Sequence, residues 1–91
     1  MENEIEILKK QIASELRKLR AGKKYTQEEV SEKAKLNIGT VVRYENGTTI
    51  QNLDKLVPVL KIFGLNIATF FNQIYENMYR NDDKKERSKY E

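Results

Sequence analysis

Between Thr26 and Gly47 the sequence reads TQEEVSEKAKLNIGTVVRYENG, and its internal spacing leaves few ways to fold. Thr26 followed by Glu29 has the form of a capping box: the hydroxyl takes an orphan backbone N–H at a helix start, and the carboxylate reaches back to another. Val30 and Ala34 then mark the inward face of a short helix. Lys35 and Leu36 form a tight turn, and Asn37 stands where a second helix, Ile38–Glu45, needs its cap. Gly47 can take the left-handed conformation in which a chain leaves a helix. The second helix would project small, apolar and basic side chains outward from a strongly basic region.

Helical periodicity organises the rest of the chain. Ile5, Leu8, Ile12, Leu16 and Leu19 recur in steps of three and four, which predicts a helix over Asn3–Ala21 with Gly22 as its C-cap. Residues 2–10 are an added turn or two, or a frayed arm. Asn52 is positioned to cap a fourth helix whose stripe is Leu53, Leu56, Val59, Leu60 and Phe63, ending at Gly64. Pro58 removes one backbone hydrogen bond from that helix, but the stripe stays in phase on both sides of it. Asn66 caps a fifth helix carrying Ile67, Phe70, Phe71, Ile74, Tyr75, Met78 and Tyr79. Residues 1–79 make one domain, and 80–91 make a charged tail that is either a helical extension or disordered. The expected class is all-α.

Composition narrows the function classes. The 91 residues contain no histidine and no cysteine, which removes the usual general base, the thiolate nucleophile and the commonest metal ligands. The acids show no paired, site-like arrangement, so an enzyme is not expected, nor a metal or cofactor. Residues 1–8 carry three glutamates, whereas residues 9–43 carry ten Lys or Arg against four Glu. The positive charge thus falls on the stretch that holds the two short helices, where it supplies salt-dependent attraction to phosphates. A solvated lysine face is the plain alternative. The N-terminus is acidic before it is basic, unlike a signal peptide, and no apolar run approaches the ~18 residues of a membrane span. A cytoplasmic protein with no membrane partner is the expectation.

These residues resemble the Cro/CI-type (Xre-like) helix-turn-helix family of phage and bacterial repressors over roughly residues 12–71. The landmarks are Leu16, Leu19-Arg20, the Thr26-Gln27-Glu28-Glu29-Val30 opening, Ala34, Val41 and the Tyr44-Glu45-Asn46-Gly47 ending, followed by Leu53, Leu56, Val59, Leu60, Phe63 and Gly64. The resemblance implies a five-helix, lambda-repressor-like DNA-binding domain, here with extended N- and C-terminal helices. Three positions depart from the pattern. Gln51 stands where the family often has proline, Pro58 stands where a polar helix former is usual, and Gly39 costs its helix about 1 kcal/mol relative to alanine.

The resemblance also assigns roles. Gln27, at the start of helix two, would use its side-chain amide and helix-terminal N–H on a DNA phosphate. Ile38, Gly39, Thr40 and Arg43 match the positions that face the major groove. Arg43 can make a bidentate contact with guanine, and Ile38 can pack on thymine methyls; Thr40 would meet a phosphate or a thymine methyl. Val42 lies near the edge of that face. Lys23, Lys24 and Lys35 are candidate phosphate contacts, as are Asn46, Thr48 and Thr49 in the following loop. Val41 and Tyr44 read as core, and Glu45 as the partner of Arg20.

The implied function is a sequence-specific DNA-binding transcriptional regulator, a repressor acting as a homodimer on a palindromic operator in double-stranded DNA. Phe71, Ile74, Tyr75 and Met78 are the expected dimer interface, because one small core cannot easily bury a stripe that continues to Tyr79. Ile5 and Leu8 join that interface or cover the base of the last helix. The same stripe supports a second class, an antitoxin-type or adaptor protein that binds a partner such as a toxin. A restriction-modification controller is a narrower variant of the first.

Overall fold

The computed structural model describes residues 3–48 and 53–90, with side chains described as far as residue 79. Five helices follow in order: α1 Glu4–Lys23, α2 Gln27–Ala34, α3 Ile38–Glu45, α4 Leu53–Ile62 and α5 Ile67–Tyr90. No strand occurs among the described residues. α1 packs on α3 and α5, α2 on α3 and α4, and α4 on α5. Ile12 and Leu16 of α1, Val30 of α2, Val41 and Tyr44 of α3, Leu56, Val59 and Leu60 of α4, and Phe70 and Ile74 of α5 meet in one core. Full burial of each larger side chain among them contributes about 1.5–3 kcal/mol.

The caps largely follow the local chemistry. Asn3 accepts the Glu6 N–H at 2.9 Å, so α1 begins at Glu4 and the N-terminal turns are helical. Thr26 and Glu29 form both halves of the capping box, at 3.0 and 2.8 Å. Asn37 Oδ1 accepts the Gly39 N–H at 2.7 Å, and Asn66 Oδ1 accepts that of Thr69 at 2.7 Å. Gly47 and Gly64 take positive φ, 77° and 72°. The expected cap at Asn52 lies outside the described residues.

The end of α1 differs from the expectation. Gly22 lies inside the helix, and Lys24, at φ 59°, is the left-handed C-cap. Its N–H reaches Ala21 O, the Tyr25 N–H reaches Arg20 O at 3.1 Å, and Arg20 Nη1 donates to Tyr25 O at 2.9 Å. Contacts that hold Tyr25 beside Arg20 place the stop two residues later than glycine alone suggests. α4 runs through Pro58, and the backbone of α5 stays helical through most of the charged tail. α4 and α5 meet at an angle of 89°, and among the described residues no single helix is long and apolar enough to cross a membrane.

Ile74 is a second correction. Expected at a dimer interface, it is 1 % exposed and belongs to the core. α1 packs against α5 and covers it, which periodicity within α5 could not reveal.

Candidate nucleic-acid interface

α3 owes its position to Glu45, whose carboxylate is buried at its C-terminal end. Arg20 Nε donates to Glu45 Oε2 at 2.7 Å, and Gln27 Nε2 donates to Oε1 at 3.2 Å. Arg17 Nη1 donates to the Glu45 backbone carbonyl, which places a cation at the negative end of the helix dipole. The bond to Glu45 raises the Arg20 pKa above its ordinary range, against the desolvation that lowers it. α1, α2 and α3 are thus joined at one carboxylate. A partly buried network of this kind fixes orientation more than it adds stability.

With Val41 and Tyr44 buried beneath it, α3 turns Ile38, Val42 and Arg43 outward. Ile38 is 42 % exposed and Val42 36 %. Two aliphatic side chains left in water beside an arginine, on one face of a helix, can offer apolar contact and guanidinium donors side by side. Gly39 lies between Asn37 and Arg43: a Cβ placed there would stand 3.0 Å from Asn37 Oδ1 and 3.3 Å from Arg43 Nη1. Among the described residues no carboxylate pairs with Arg43; its Nη2 lies 3.4 Å from Thr40 Oγ1.

Thr40 corrects the expectation that it faces the groove. It is 7 % exposed, at the border of the buried face, and Arg43, one turn on, lies against its hydroxyl. Gln27 is half-buried, and its side-chain amide is engaged by Glu45 rather than presented to solvent. Lys24 and Lys35 are exposed, both at left-handed positions beside the ends of their helices.

The loop after α3 folds back on that helix. Thr48 N–H and Oγ1 both donate to Arg43 O, at 3.2 and 3.3 Å, and Asn46 Oδ1 accepts the Thr48 N–H at 3.2 Å. Gly47 brings the loop against α1, with its Cβ position 3.7 Å from Lys9 O and 3.8 Å from Ala13 Cβ. Asn46 and Thr48 are both exposed, next to the outward face of α3. Thr49 lies outside the described residues.

Phe71, Tyr75 and Met78 are gathered elsewhere. With Glu4, Ile5 and Leu8 of α1 and Tyr79 they line an open groove of about 280 Å³, with Ile74 also at its wall. Tyr75 is 56 % exposed, and its ring stands 4.9 Å from that of Tyr79. Asn77 Nδ2 donates to Glu15 Oε1 at 2.8 Å, clasping α5 to α1. Among the described residues no acidic group gathers into a metal-ligating cluster. Sequence reasoning put Val42 only at the edge of the outward face and did not single out Arg17 or the Glu15–Asn77 clasp. The latter two join residues far apart in the chain, with no local signal.

Residues 16–70 match the family model described as helix-turn-helix. No curated protein sequence matches the chain. The structure is similar to that of the clp gene regulator ClgR from Corynebacterium glutamicum, with a TM-score of 0.71 at 21 % identity over 90 % of this chain and 87 % of that one. It is also similar to a mutant of the restriction-modification controller protein C.Esp1396I, with a TM-score of 0.70 at 19 % identity over 86 % of this chain and 95 % of that one. At these identities the likeness is one of fold.

Proposed function

The chain belongs to the Xre-like helix-turn-helix family and is a DNA-binding transcriptional regulator; on that premise we propose that it is a cytoplasmic repressor that binds a palindromic operator as a homodimer. The observation that carries the reading is the outward face of α3, where Ile38, Val42 and Arg43 are exposed on a helix held from behind by the Glu45 network. Arg43 reads a guanine edge, and Ile38 and Val42 meet thymine methyls. Gly39 lets the backbone approach closely. Phosphates are met by the first turn of α2, by Lys24 and Lys35, and by Asn46 and Thr48. Thr40 takes no direct contact.

The homodimer rests on the α1–α5 groove. Phe71, Tyr75 and Met78 are its contributors, Ile74 having been withdrawn into the core. Two copies of α3 would then read half-sites about 34 Å apart on one face of the DNA. The same groove is the specific support for the second reading, an antitoxin-type protein that seats a partner such as a toxin there. A restriction-modification controller remains the narrower variant of the first.

Selection of bound sequences from a random DNA pool tests the main reading. An inverted repeat with half-sites one helical turn apart supports it, and a pool that gains no sequence preference removes it. Sedimentation equilibrium of the wild type and of a Tyr75→Glu, Met78→Glu double variant tests the dimer. A wild type that stays monomeric at high micromolar concentration and protects one half-site at a time rules it out.

A further inference from the structure

The Arg43 guanidinium lies against residues of its own helix. Its guanidinium is folded toward the N-terminal end of α3, with Nη2 3.4 Å from Thr40 Oγ1. Nη1 occupies space that a side chain on Gly39 would crowd, since a Cβ there would stand 3.3 Å away. Residues 40 and 43 are neighbours on a helix surface because they lie one turn apart. Thr40 is buried at 7 % exposure, so its hydroxyl has a fixed place from which to act. A long arginine on an exposed helix face otherwise samples many rotamers and loses that freedom on binding.

We propose that Thr40 and Gly39 are positioning residues for base reading: the Thr40 hydroxyl and the bare Gly39 backbone preset the Arg43 guanidinium toward one base pair of the half-site. This rests on Arg43 being a base reader. Thr40 sets specificity without touching DNA, and Gly39 acts by leaving the guanidinium its seat. The gain is entropic. Immobilising one rotamer-rich side chain in advance is worth about 2- to 10-fold in equilibrium terms.

The test is random-pool selection at fixed salt with the full-length wild type, Arg43→Ala, Thr40→Val, Thr40→Ser, Gly39→Ala and the Thr40→Val, Arg43→Ala double variant. Arg43→Ala is expected to flatten the preference at one base pair per half-site. Thr40→Val keeps the side-chain shape, removes the hydroxyl, and is expected to lower the preference at that same base pair about 3- to 10-fold. Thr40→Ser restores the hydroxyl and the preference. The double variant loses nothing beyond Arg43→Ala alone, because Thr40 acts only through Arg43. Gly39→Ala would crowd Asn37 Oδ1 at 3.0 Å as well as Arg43 Nη1 at 3.3 Å. A loss confined to that same base pair, with the other positions unchanged, supports displacement of the guanidinium and keeps the inference testable if Thr40→Val fails to fold, whereas a loss spread over all positions counts against it. If Arg43→Ala flattens a base pair whose preference Thr40→Val and Gly39→Ala leave intact, the positioning role is overturned and the base-reading role of Arg43 stands. If Arg43→Ala flattens nothing, the base-reading assignment itself fails.

Discussion

The two ends of α1 support surfaces of opposite character. At its C-terminal end, Arg17 and Arg20 grip Glu45 and hold α3 rigidly while α3 leaves aliphatic groups exposed. At its N-terminal end, Ile5 and Leu8 border a groove whose other side is α5, with half-exposed tyrosines and a polar clasp at Glu15–Asn77. The first end spends buried polar interactions on orientation, as a surface that must match a fixed shape requires. The second leaves apolar area open, as a surface that is completed by another molecule does. One helix serves both because the two arginines and the two apolar residues stand toward opposite ends of it.

The comparison breaks first at the core. Ile74→Ala should destabilise the domain by about 2–5 kcal/mol through lost burial and an unfilled cavity. Tyr75→Ala, one residue on, should leave monomer stability within about 0.5 kcal/mol. Urea denaturation of the two variants distinguishes core from groove, and equal losses would mean that α5 is seated differently. At the other end, Glu45→Ala should cost about 3 kcal/mol, the low end for a broken buried pair, because Arg20 retains some access to water. Its larger signature is on DNA: α3 loses its anchor, and selected sequences lose their consensus while binding to non-specific DNA persists.

Within the DNA-facing surface the expected effects are smaller and separable. Arg43→Ala should weaken specific binding by roughly 1–3 kcal/mol. Lys24→Ala should weaken specific and non-specific binding alike and reduce the salt slope by about one ion per site. Titrations at several salt concentrations separate the two. Pro58→Ala, in the helix between the two ends, should stabilise by about 1 kcal/mol, because it restores a backbone donor in a helix that already runs through that position. A large loss in a thermal melt would show that α4 depends on its proline.

The smallest effect is on pH dependence. Burial raises the Tyr44 phenol above its ordinary value, while the charge of Arg43 lowers it in part. The folded state therefore holds the Tyr44 proton more tightly than the unfolded chain. Stability from this group is complete below about pH 10 and is lost as pH rises through the folded value. Denaturation midpoints between pH 9 and pH 11 should fall less steeply for Tyr44→Phe than for the wild type.

What could be read from the chain was whatever a few neighbouring residues decide. Thr26 with Glu29, Asn37, Gly47, Gly64 and Asn66 each announce a helix end through their own side chain or lack of one, and each does so in the structure. The Arg20–Glu45 pair was legible only through the family pattern. Where a distant element decides, local pattern fails. Periodicity in α5 placed Ile74 on an apolar stripe but could not say that α1 would cover that part of it. The family pattern put Thr40 on the groove-facing side of α3 but could not say that Arg43 would fold over it. Gly22 looked like a C-cap because nothing local records the bond from Arg20 to the carbonyl of Tyr25.

Phe70 and Ile74, sealed from solvent on α5, have a consequence for the order of events during synthesis. α3 is complete in sequence at Glu45, yet the core behind it lacks one wall until α5 has been made. At ~5–20 residues per second that interval is on the order of seconds. During it the nascent chain carries an open apolar cleft in which Ile12, Leu16 and Leu60 await their last partners. A ribosome-bound chain ending before Phe70 should therefore be cut readily by protease, whereas one with Ile74 clear of the exit tunnel should resist. The competence to read DNA thus waits for α5, and arrives close to all at once.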